Sequence, residues 1–309
     1  MTNKMMIKKG NDNSCESIAI IKGGQYNNKF INFCPDDKDS KLEIKDLFDH
    51  ITDKELRKTR KYMSLKDIMK VKRAFESSQI DNDILDIYDK IKPTIEHNIK
   101  SHIHVEDGNI EPIPLLQEHQ TDRIFISGMS GSGKSTWIAN YALAYHKLFH
   151  SNLIYMFSKK DDDKAIDDIV DVKRIKINED ILDIEFDIND LSNSLCIFDD
   201  IDCFEKKIYE KVKNIRSSIL ELGRDKNIFM CNVSHQILNY KNTRDLILES
   251  NKIVFFPRSG QYQIKRFLKE YCGLDKDKIN LIFNINSRWI QLSKTYPMTI
   301  TGEHDIYIV

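Results

Sequence analysis

The sequence predicts an α/β protein in which helices flank a mostly parallel central sheet, preceded by a small, mainly helical N-terminal region with a β-hairpin. The main evidence is a series of short apolar runs at 153–157, 195–198, 228–233 and 253–256. Such runs are typical of parallel strands that are buried on both faces. Segments with helical periodicity separate most of them, as the crossover connections of a parallel sheet require.

Length and composition place the chain among globular proteins. At 309 residues it is long enough for about two domains, which we place at 1–120 and 121–309. It has 40% hydrophobic and 31% charged residues, and its net charge of −1 excludes a protein that coats polyanions through overall charge. We expect no membrane-spanning helix, because no run approaches the ~18 apolar residues that one needs. We also expect no secretion, because Met1–Gly10 lacks the apolar segment of a signal peptide.

The cysteines show no pattern of a metal site or a redox motif. They are scattered along the chain without a C-x-x-C pair, at Cys15, Cys34, Cys196, Cys203, Cys231 and Cys272. Two of them fall in predicted core strands. We therefore expect free, buried thiols in a reducing compartment.

The N-terminal region is expected to contain a hairpin, helices and a linker. Two apolar runs flank a Gly/Asn-rich turn between Ser17 and Phe33, which predicts a β-hairpin. Helical periodicity follows between Lys41 and Lys100, where Ser64 is suited to cap one helix. Basic residues outnumber acidic ones between Asp53 and Glu76, which is typical of a solvated helix face and also fits a surface that contacts DNA phosphates. The stretch 106–120 has no clear period and predicts a linker.

A glycine-rich loop follows the apolar run Ile124–Ile126 and precedes a helical pattern at 135–149. It matches the phosphate-binding P-loop, G-x-x-x-x-G-K-[ST]. Glycines let backbone N–H groups surround phosphates, and the positive end of the following helix points at the same anion. The motif predicts that Lys134 holds the β- and γ-phosphates of ATP and that Ser135 ligates Mg²⁺. The predicted nucleotide-binding residues are Gly128, Met129, Ser130, Gly131, Ser132, Gly133, Lys134, Ser135 and Thr136.

A second motif follows the apolar run Leu195–Phe198, where two acids, Asp199 and Asp200, end a predicted strand. Hydrolysis of ATP needs Mg²⁺ on the phosphates and a water that is oriented and partly deprotonated. Asp199 fits the acid that anchors Mg²⁺ (Walker B), and Asp200 fits the group that activates the water. Both acids also fit a polar strand end or a helix cap. The two motifs predict a P-loop NTPase of the additional-strand type, many of which have Glu where this chain has Asp200.

Two further residues are candidates for catalysis. Gln236 follows the run 228–233, so it is expected beside the P-loop, where it senses the γ-phosphate or the attacking water. A cap of its own loop is the alternative. If the protein forms a ring, a neighbouring subunit is expected to supply an arginine finger. We favour Arg244 for this role, with Arg224, Arg258 and Arg288 as alternatives, and each of these also fits a surface salt bridge.

The chain from Arg123 to Val309 resembles the genome-packaging ATPases of large DNA viruses, the poxvirus-type branch of the FtsK–HerA superfamily. The P-loop and the L-C-I-F-D-D segment are generic to many ATPases, so the later segments carry the specific part of the resemblance. These are L-G-R-D-K-N-I at 222–228, S-H-Q-I-L-N at 234–239, F-F-P-R-S-G at 255–260, Y-Q-I-K-R-F-L-K-E-Y at 262–271 and S-R-W-I at 287–290. One departure is Asp225, where relatives tend to have His. Residues 1–120 lie outside the resemblance.

The resemblance implies a ring-forming homo-oligomeric motor that uses ATP and Mg²⁺ to package double-stranded DNA into a capsid. It implies sequence-independent contacts with DNA, a capsid or portal-like protein as partner, and a place in the host cytoplasm or the virion. The alternatives are a kinase, a helicase outside packaging, and a nucleotide-binding assembly factor that does not hydrolyse ATP. The kinase is disfavoured because no arginine-rich lid is visible, and the tandem acids Asp199 and Asp200 suit water as the phosphoryl acceptor.

Overall fold

The computed structural model describes residues 3–8, 15–35, 65–117, 120–168, 170–201, 204–238 and 243–309. The predicted cap Ser64, the basic residues between 54 and 61, and Cys203 lie outside this part of the chain. The chain forms two compact units, one of residues 1–6 and 33–104 and the other of residues 7–32 and 105–309. The division at residue 120 stays a prediction.

Fourteen strands and eight α-helices occur in the described residues. The strands are β1 Asn3–Lys8, β2 Glu16–Lys22, β3 Phe30–Pro35, β4 His102–His104, β5 Asn109–Pro112, β6 Arg123–Ser127, β7 Leu153–Ser158, β8 Lys173–Lys176, β9 Ser194–Asp199, β10 Ile228–Ser234, β11 Lys252–Phe255, β12 Ile290–Ser293, β13 Thr299–Thr301 and β14 Asp305–Ile308. The helices are α1 Leu65–Glu76, α2 Asn82–Ser101, α3 Lys134–Leu148, α4 Lys164–Asp167, α5 Lys206–Leu222, α6 Arg244–Glu249, α7 Gln261–Glu270 and α8 Lys276–Asn284.

The larger unit contains the predicted sheet. Nine of its described strands lie in the order β14-β13-β12-β11-β6-β10-β9-β7-β8. The six strands from β11 to β8 are parallel to one another. The three C-terminal strands β12, β13 and β14 continue the sheet in antiparallel pairs. The predicted mostly parallel α/β fold is therefore confirmed, and the antiparallel end is a feature that the apolar runs did not indicate.

The register of the central strands sets the position of the site. Ser127 at the end of β6 pairs with Ser234 at the end of β10, and Val233 pairs with Asp199 at the end of β9. All three strands are parallel, so the loops that follow them leave the sheet at one edge. Ligands of open α/β sheets bind at this carboxyl edge.

Both faces of the sheet are covered by apolar side chains, as the uninterrupted runs require. Ile124 and Ile126 pack with Trp137 and Tyr141 of α3 on one face. Phe125 points to the opposite face and packs among residues of α6, α7 and α8. On that same face α5 covers β9 and β10 through Val212 and other aliphatic side chains. Helices therefore flank the sheet, as predicted.

A buried ion pair fixes the chain just before β6. Asp122 is fully buried, and its Oδ2 accepts hydrogen bonds from Lys252 Nζ at 2.8 Å and Tyr141 Oη at 2.6 Å. The N–H of Leu115 donates to the same oxygen at 3.1 Å, and Lys252 Nζ also donates to Ile113 O at 3.1 Å. The pair thus ties the segment before the P-loop strand to β11 and α3.

The N-terminal predictions are partly confirmed. β2 and β3 flank a turn in which Ile21 N donates to Lys29 O and Asn28 N to Ile21 O, which is the predicted hairpin. Helices α1 and α2 fall in the predicted helical stretch, where the rings of Phe75 and Tyr88 pack at 5.1 Å. The predicted linker 106–120 includes strand β5, which pairs antiparallel with β2.

The expectation of free thiols is wrong at Cys15 and Cys34, which are both disulfide-bonded. Cys15 lies just before β2, and Cys34 lies in β3. The scattered spacing gave no sign of this. Cys196 and Cys231 are free and buried in the core strands, as expected. Within the described residues, no helix is long and apolar enough to cross a lipid bilayer.

Candidate functional site

The loop between β6 and α3 has the backbone that a phosphate cradle needs. Gly131 and Gly133 have φ values of 74° and 112°, which side chains with a Cβ rarely adopt. A Cβ on Gly128 would lie 2.6 Å from Ser132 Oγ and 2.7 Å from Phe256 Cδ2. The first N–H groups of α3, at Lys134 and Ser135, have no partner within the helix and point out of its positive end. Ser132 Oγ is buried and has no hydrogen-bond partner among the described residues. A phosphate oxygen would satisfy these donors.

Lys134 lies inside this loop. Its Nζ donates to Gly128 O at 2.6 Å and to Met129 O at 3.3 Å, and it lies 3.3 Å from His235 Nδ1. Burial lowers the pKa of Lys134 below its usual value, and the nearby charges of Asp200 and Asp199 only partly offset this. The ammonium group is thus held by loop carbonyls at the position where the motif predicts phosphate binding.

Asp199 and Asp200 lie at the end of β9, at the same edge of the sheet. Asp199 is buried, and burial together with the charge of Asp200 raises the pKa of its carboxyl group. Asp200 has a φ of 51°, in the left-handed region that few residues other than glycine adopt. Its Oδ2 lies 3.0 Å from His235 Nε2, and its Oδ1 is buried without a partner in the described part of the chain. Strained backbone of this kind is common at functional sites.

His235 therefore connects the two motifs. A protonated lysine can only donate hydrogen bonds, so Nδ1 of His235 accepts from Lys134 and the Nε2–H group donates to Asp200. The P-loop lysine and Asp200, the acid that follows β9, are in this way joined through one imidazole ring. Lys134 and Asp200 are 66 positions apart in the sequence, and no motif indicates that His235 contacts both of them.

Ser135 has an acidic neighbour that the motifs do not indicate. Its Oγ lies 3.3 Å from Oδ2 of Asp163, which follows β7. Lys160 Nζ lies 3.5 Å from that oxygen and 3.5 Å from Oδ2 of Asp199. Burial alone would lower the pKa of Lys160, but the charges of Asp199 and Asp163 outweigh it, and the pKa is raised.

These oxygens fit a magnesium ion. Mg²⁺ prefers carboxylate and hydroxyl oxygens, and Ser135 and Asp199 provide one of each at the predicted place. The carboxylate of Asp199 already faces one cation, since Lys160 Nζ lies 3.5 Å from its Oδ2. Ser135 and Asp199 would therefore hold the ion, as the motifs predict.

Gln236 lies beside the P-loop in an open cleft of about 720 Å³, which is lined by residues 127–130, 235–237 and 259–264. Its backbone N–H donates to Ser234 Oγ at 3.2 Å. On the other side of the cleft, Ser259 Oγ accepts from the N–H of Met129 at 2.9 Å. The structure thus brings Gln236 to the phosphate loop, while its role as sensor stays a prediction.

Of the candidate arginines, Arg288 lies beside the P-loop. A Cβ built on Gly133 would be 3.5 Å from Arg288 Nε. Arg244 begins α6, and Arg224 is exposed with its Nε 3.7 Å from Asp225 Oδ1. Arg224 and Asp245 line a second cleft together with Arg123, the first residue of β6, at the edge opposite the P-loop. The finger role of Arg244 concerns a neighbouring subunit and stays a prediction.

The comparisons with known proteins differ in strength. No family model matches the chain. Among solved structures, it is similar to the genome packaging NTPase B204 of Sulfolobus turreted icosahedral virus 2 in complex with AMPPCP, with 13% identity, 60% of this chain and 97% of B204 covered, and a TM-score of 0.42. It is also similar to the pCW3 conjugation coupling protein TcpA with ATPgS, with 10% identity, 95% and 77% of the two chains covered, and a TM-score of 0.40.

The sequence comparison gives a much nearer relative. Over 210 residues the chain is 40% identical to the uncharacterized protein V3 of Sputnik virophage. The aligned region covers 66% of this chain and 83% of that protein. An identity of this size over most of a protein's length establishes common ancestry. The chain therefore belongs to the family of the Sputnik virophage protein V3.

Proposed function

We propose that the chain is a Mg²⁺-dependent ATPase that drives double-stranded DNA into a viral capsid. The observation that carries the hydrolytic part is the chain of contacts from Lys134 through His235 to Asp200, at 3.3 Å and 3.0 Å. It joins a phosphate-binding lysine to an acid that has one carboxylate oxygen without a partner among the described residues. The packaging part is supported by the motifs after Gly223 and by kinship with a virophage protein.

The residues of the site divide the work of hydrolysis. Lys134 and the N–H groups of Gly131 to Ser135 bind the phosphates of ATP. Ser135 and Asp199 hold Mg²⁺, which when bound neutralises charge that develops on the phosphate oxygens. Asp200 orients a water molecule with its free Oδ1 and accepts its proton as the water oxygen attacks the γ-phosphorus and the bond to ADP breaks. Gln236 senses the γ-phosphate or the water from the neighbouring loop.

The DNA end of the proposal follows from how such motors grip their substrate. We propose a homo-oligomeric ring, with Arg244 of one subunit reaching the nucleotide of the next, that contacts DNA through its phosphates. Binding of that kind shows little sequence preference and weakens steeply with salt. A net charge of −1 is compatible with such a motor, because only the loops that face DNA need to be basic. A capsid or portal-like protein would dock the ring in the host cytoplasm or the virion.

The test of coupling is phosphate release from ATP with and without duplex DNA. The proposal predicts that duplexes of unrelated sequence stimulate turnover equally and that the stimulation disappears as salt rises. Turnover that ignores DNA in all conditions would contradict the motor. Phosphoryl transfer to a small acceptor would instead favour a kinase, and tight ATP binding without hydrolysis would favour an assembly factor.

A further inference from the structure

Lys160 occupies a position between two carboxylates of the site. Its ammonium nitrogen lies 3.5 Å from Asp163 Oδ2 and 3.5 Å from Asp199 Oδ2. The hydroxyl oxygen of Ser135 lies 3.3 Å from the same oxygen of Asp163. Two acids, one in the loop after β7 and one at the end of β9, thus lie against one positive charge, and the P-loop serine contacts the first of them.

The two oxygens of Asp163 have different tasks. Oδ1 caps helix α4 by accepting from the N–H of Ala165 at 3.1 Å. Oδ2 faces Ser135 and Lys160, and the side chain is only 11% exposed. Its neighbours Asp161 and Asp162 are exposed instead. An N-cap needs one oxygen, so the cap does not explain why the second oxygen is turned into the site.

Lys160 differs from the acids in how firmly it is held. Its side chain is 52% exposed, and it sits on a long stem with several rotatable bonds. Asp199 by contrast is 9% exposed and fixed at the end of a core strand. An ammonium group and a divalent cation repel each other, so both cannot lie between the same two carboxylates. Lys160 is the partner that is able to swing out into water.

We infer that Asp163 is an additional residue of the Mg²⁺ site and that Lys160 is a displaceable counter-ion, which leaves its place between Asp163 and Asp199 when the cation binds. The inference rests on the proposed function, because it concerns the same nucleotide site. It makes Lys160 a regulator of metal loading. If Lys160 lost its charge, Asp163 and Asp199 would bind a cation more tightly. If Asp163 lost its charge, the site would bind the cation more weakly.

The experiment measures binding of Mn²⁺, as a probe for Mg²⁺, to the full chain with a non-hydrolysable ATP analogue, from the EPR signal of free Mn²⁺. Asp163→Asn removes the charge and keeps the cap, because Asn is an equally good N-cap. We expect it to weaken Mn²⁺ binding by about 10- to 100-fold. Lys160→Met should strengthen Mn²⁺ binding, and the exposed control Asp162→Asn should leave it unchanged. Analogue binding in EDTA should be the same in the wild type and in the control Asp162→Asn.

Two results would overturn the inference alone, given that the wild-type protein binds the analogue. These are an Asp163→Asn variant that binds Mn²⁺ as the wild type does, and a Lys160→Met variant that binds it more weakly. Failure of the wild-type protein to bind the analogue at all would overturn the proposed function as well. Thermal melting of each variant shows whether it is folded, so that a weakened affinity is not confused with unfolding.

Discussion

The imidazole Nε2 of His235 lies 3.0 Å from Oδ2 of Asp200. Asp200 is held in a left-handed backbone conformation with its other carboxylate oxygen buried and unbonded within the described residues. His235 therefore fixes one oxygen and leaves the second directed away from it. This arrangement suits an acid that has to hold a water molecule in one orientation, and it makes His235 a positioning residue for the proposed reaction.

Replacement of His235 by alanine should reduce turnover more than nucleotide binding. Asp200 loses the contact that orients it, and a small displacement of a catalytic group can cost about 10²-fold in rate. We expect kcat to fall on that order while Kd for an ATP analogue changes little. His150→Ala is the control, because His150 lies just after the far end of α3. An unchanged kcat in the His235 variant would show that Asp200 does not depend on this contact.

Gln236→Ala tests the predicted sensor. The side chain lies at the edge of the cleft beside Gly128, and loss of a group that contacts the γ-phosphate or the water should slow hydrolysis. Steady-state kinetics should show a lower kcat. The Tm should change little, since Gln236 is exposed. Full turnover in the variant would favour the alternative, that Gln236 only caps its loop.

Gly128→Ala should damage the phosphate loop specifically. The new Cβ would meet Ser132 Oγ and Phe256 Cδ2 at 2.6 and 2.7 Å, and overpacking of this kind costs about 1–3 kcal/mol. We expect a lower Tm together with loss of ATP-analogue binding, measured by calorimetry.

Gly273→Ala is the matched control for that variant. Gly273 has a φ of 65° and no atom within 4 Å of a built Cβ, so its replacement costs about 1–2 kcal/mol of backbone strain far from the loop. It should lower the Tm and leave nucleotide binding intact. Equal loss of binding in both variants would show that binding reports global stability rather than the shape of the P-loop.

The buried pair of Lys252 and Asp122 should dominate the stability of the segment before β6. Lys252→Met leaves a fully buried carboxylate without its cation, which costs about 3–5 kcal/mol. Tyr141→Phe removes one hydrogen bond to the same charged oxygen and should cost less, about 1.5–3 kcal/mol. Urea unfolding of the wild type, Lys252→Met and Tyr141→Phe measures their free energies of unfolding, which should fall in the order wild type, Tyr141→Phe, Lys252→Met. A Lys252→Met protein as stable as the wild type would contradict it.

The wild-type protein should be less stable at neutral pH than the variant Asp199→Asn, because of the buried carboxyl group of Asp199. Burial and the charge of Asp200 raise the pKa of Asp199 in the folded state above the usual value of 3.8. Between those two pKa values the folded state binds more protons, so this group's contribution to stability falls as pH rises.

Asp199→Asn removes that contribution. In EDTA its Tm should therefore exceed that of the wild type at pH 7, and the difference should shrink as pH falls through the raised pKa of Asp199. A variant that is less stable than the wild type at pH 7 would show that the ion pair with Lys160 outweighs burial.

The sequence predicted the elements of the site well because each depends on local pattern. The strands that end at Ser127, Asp199 and Ser234 are apolar runs, and parallel pairing then places their ends at one edge. Asp163 and His235 were missed as site residues for a different reason. Their roles depend on which loops meet above the sheet, and a run of three aspartates at 161–163 looks the same whether one or none of them turns inward. The disulfide-bonded state of Cys15 and Cys34 was missed because it too depends on the folded structure and not on the spacing of cysteines in the sequence.

The most direct test of the central claim compares wild-type protein with Asp200→Asn for both ATP-analogue binding and phosphate release. Both proteins are expected to bind the analogue with similar Kd, because Lys134 and the loop are unchanged. Only the wild type is expected to release phosphate at a measurable rate. Phosphate release at the wild-type rate by Asp200→Asn would contradict the proposed hydrolytic site.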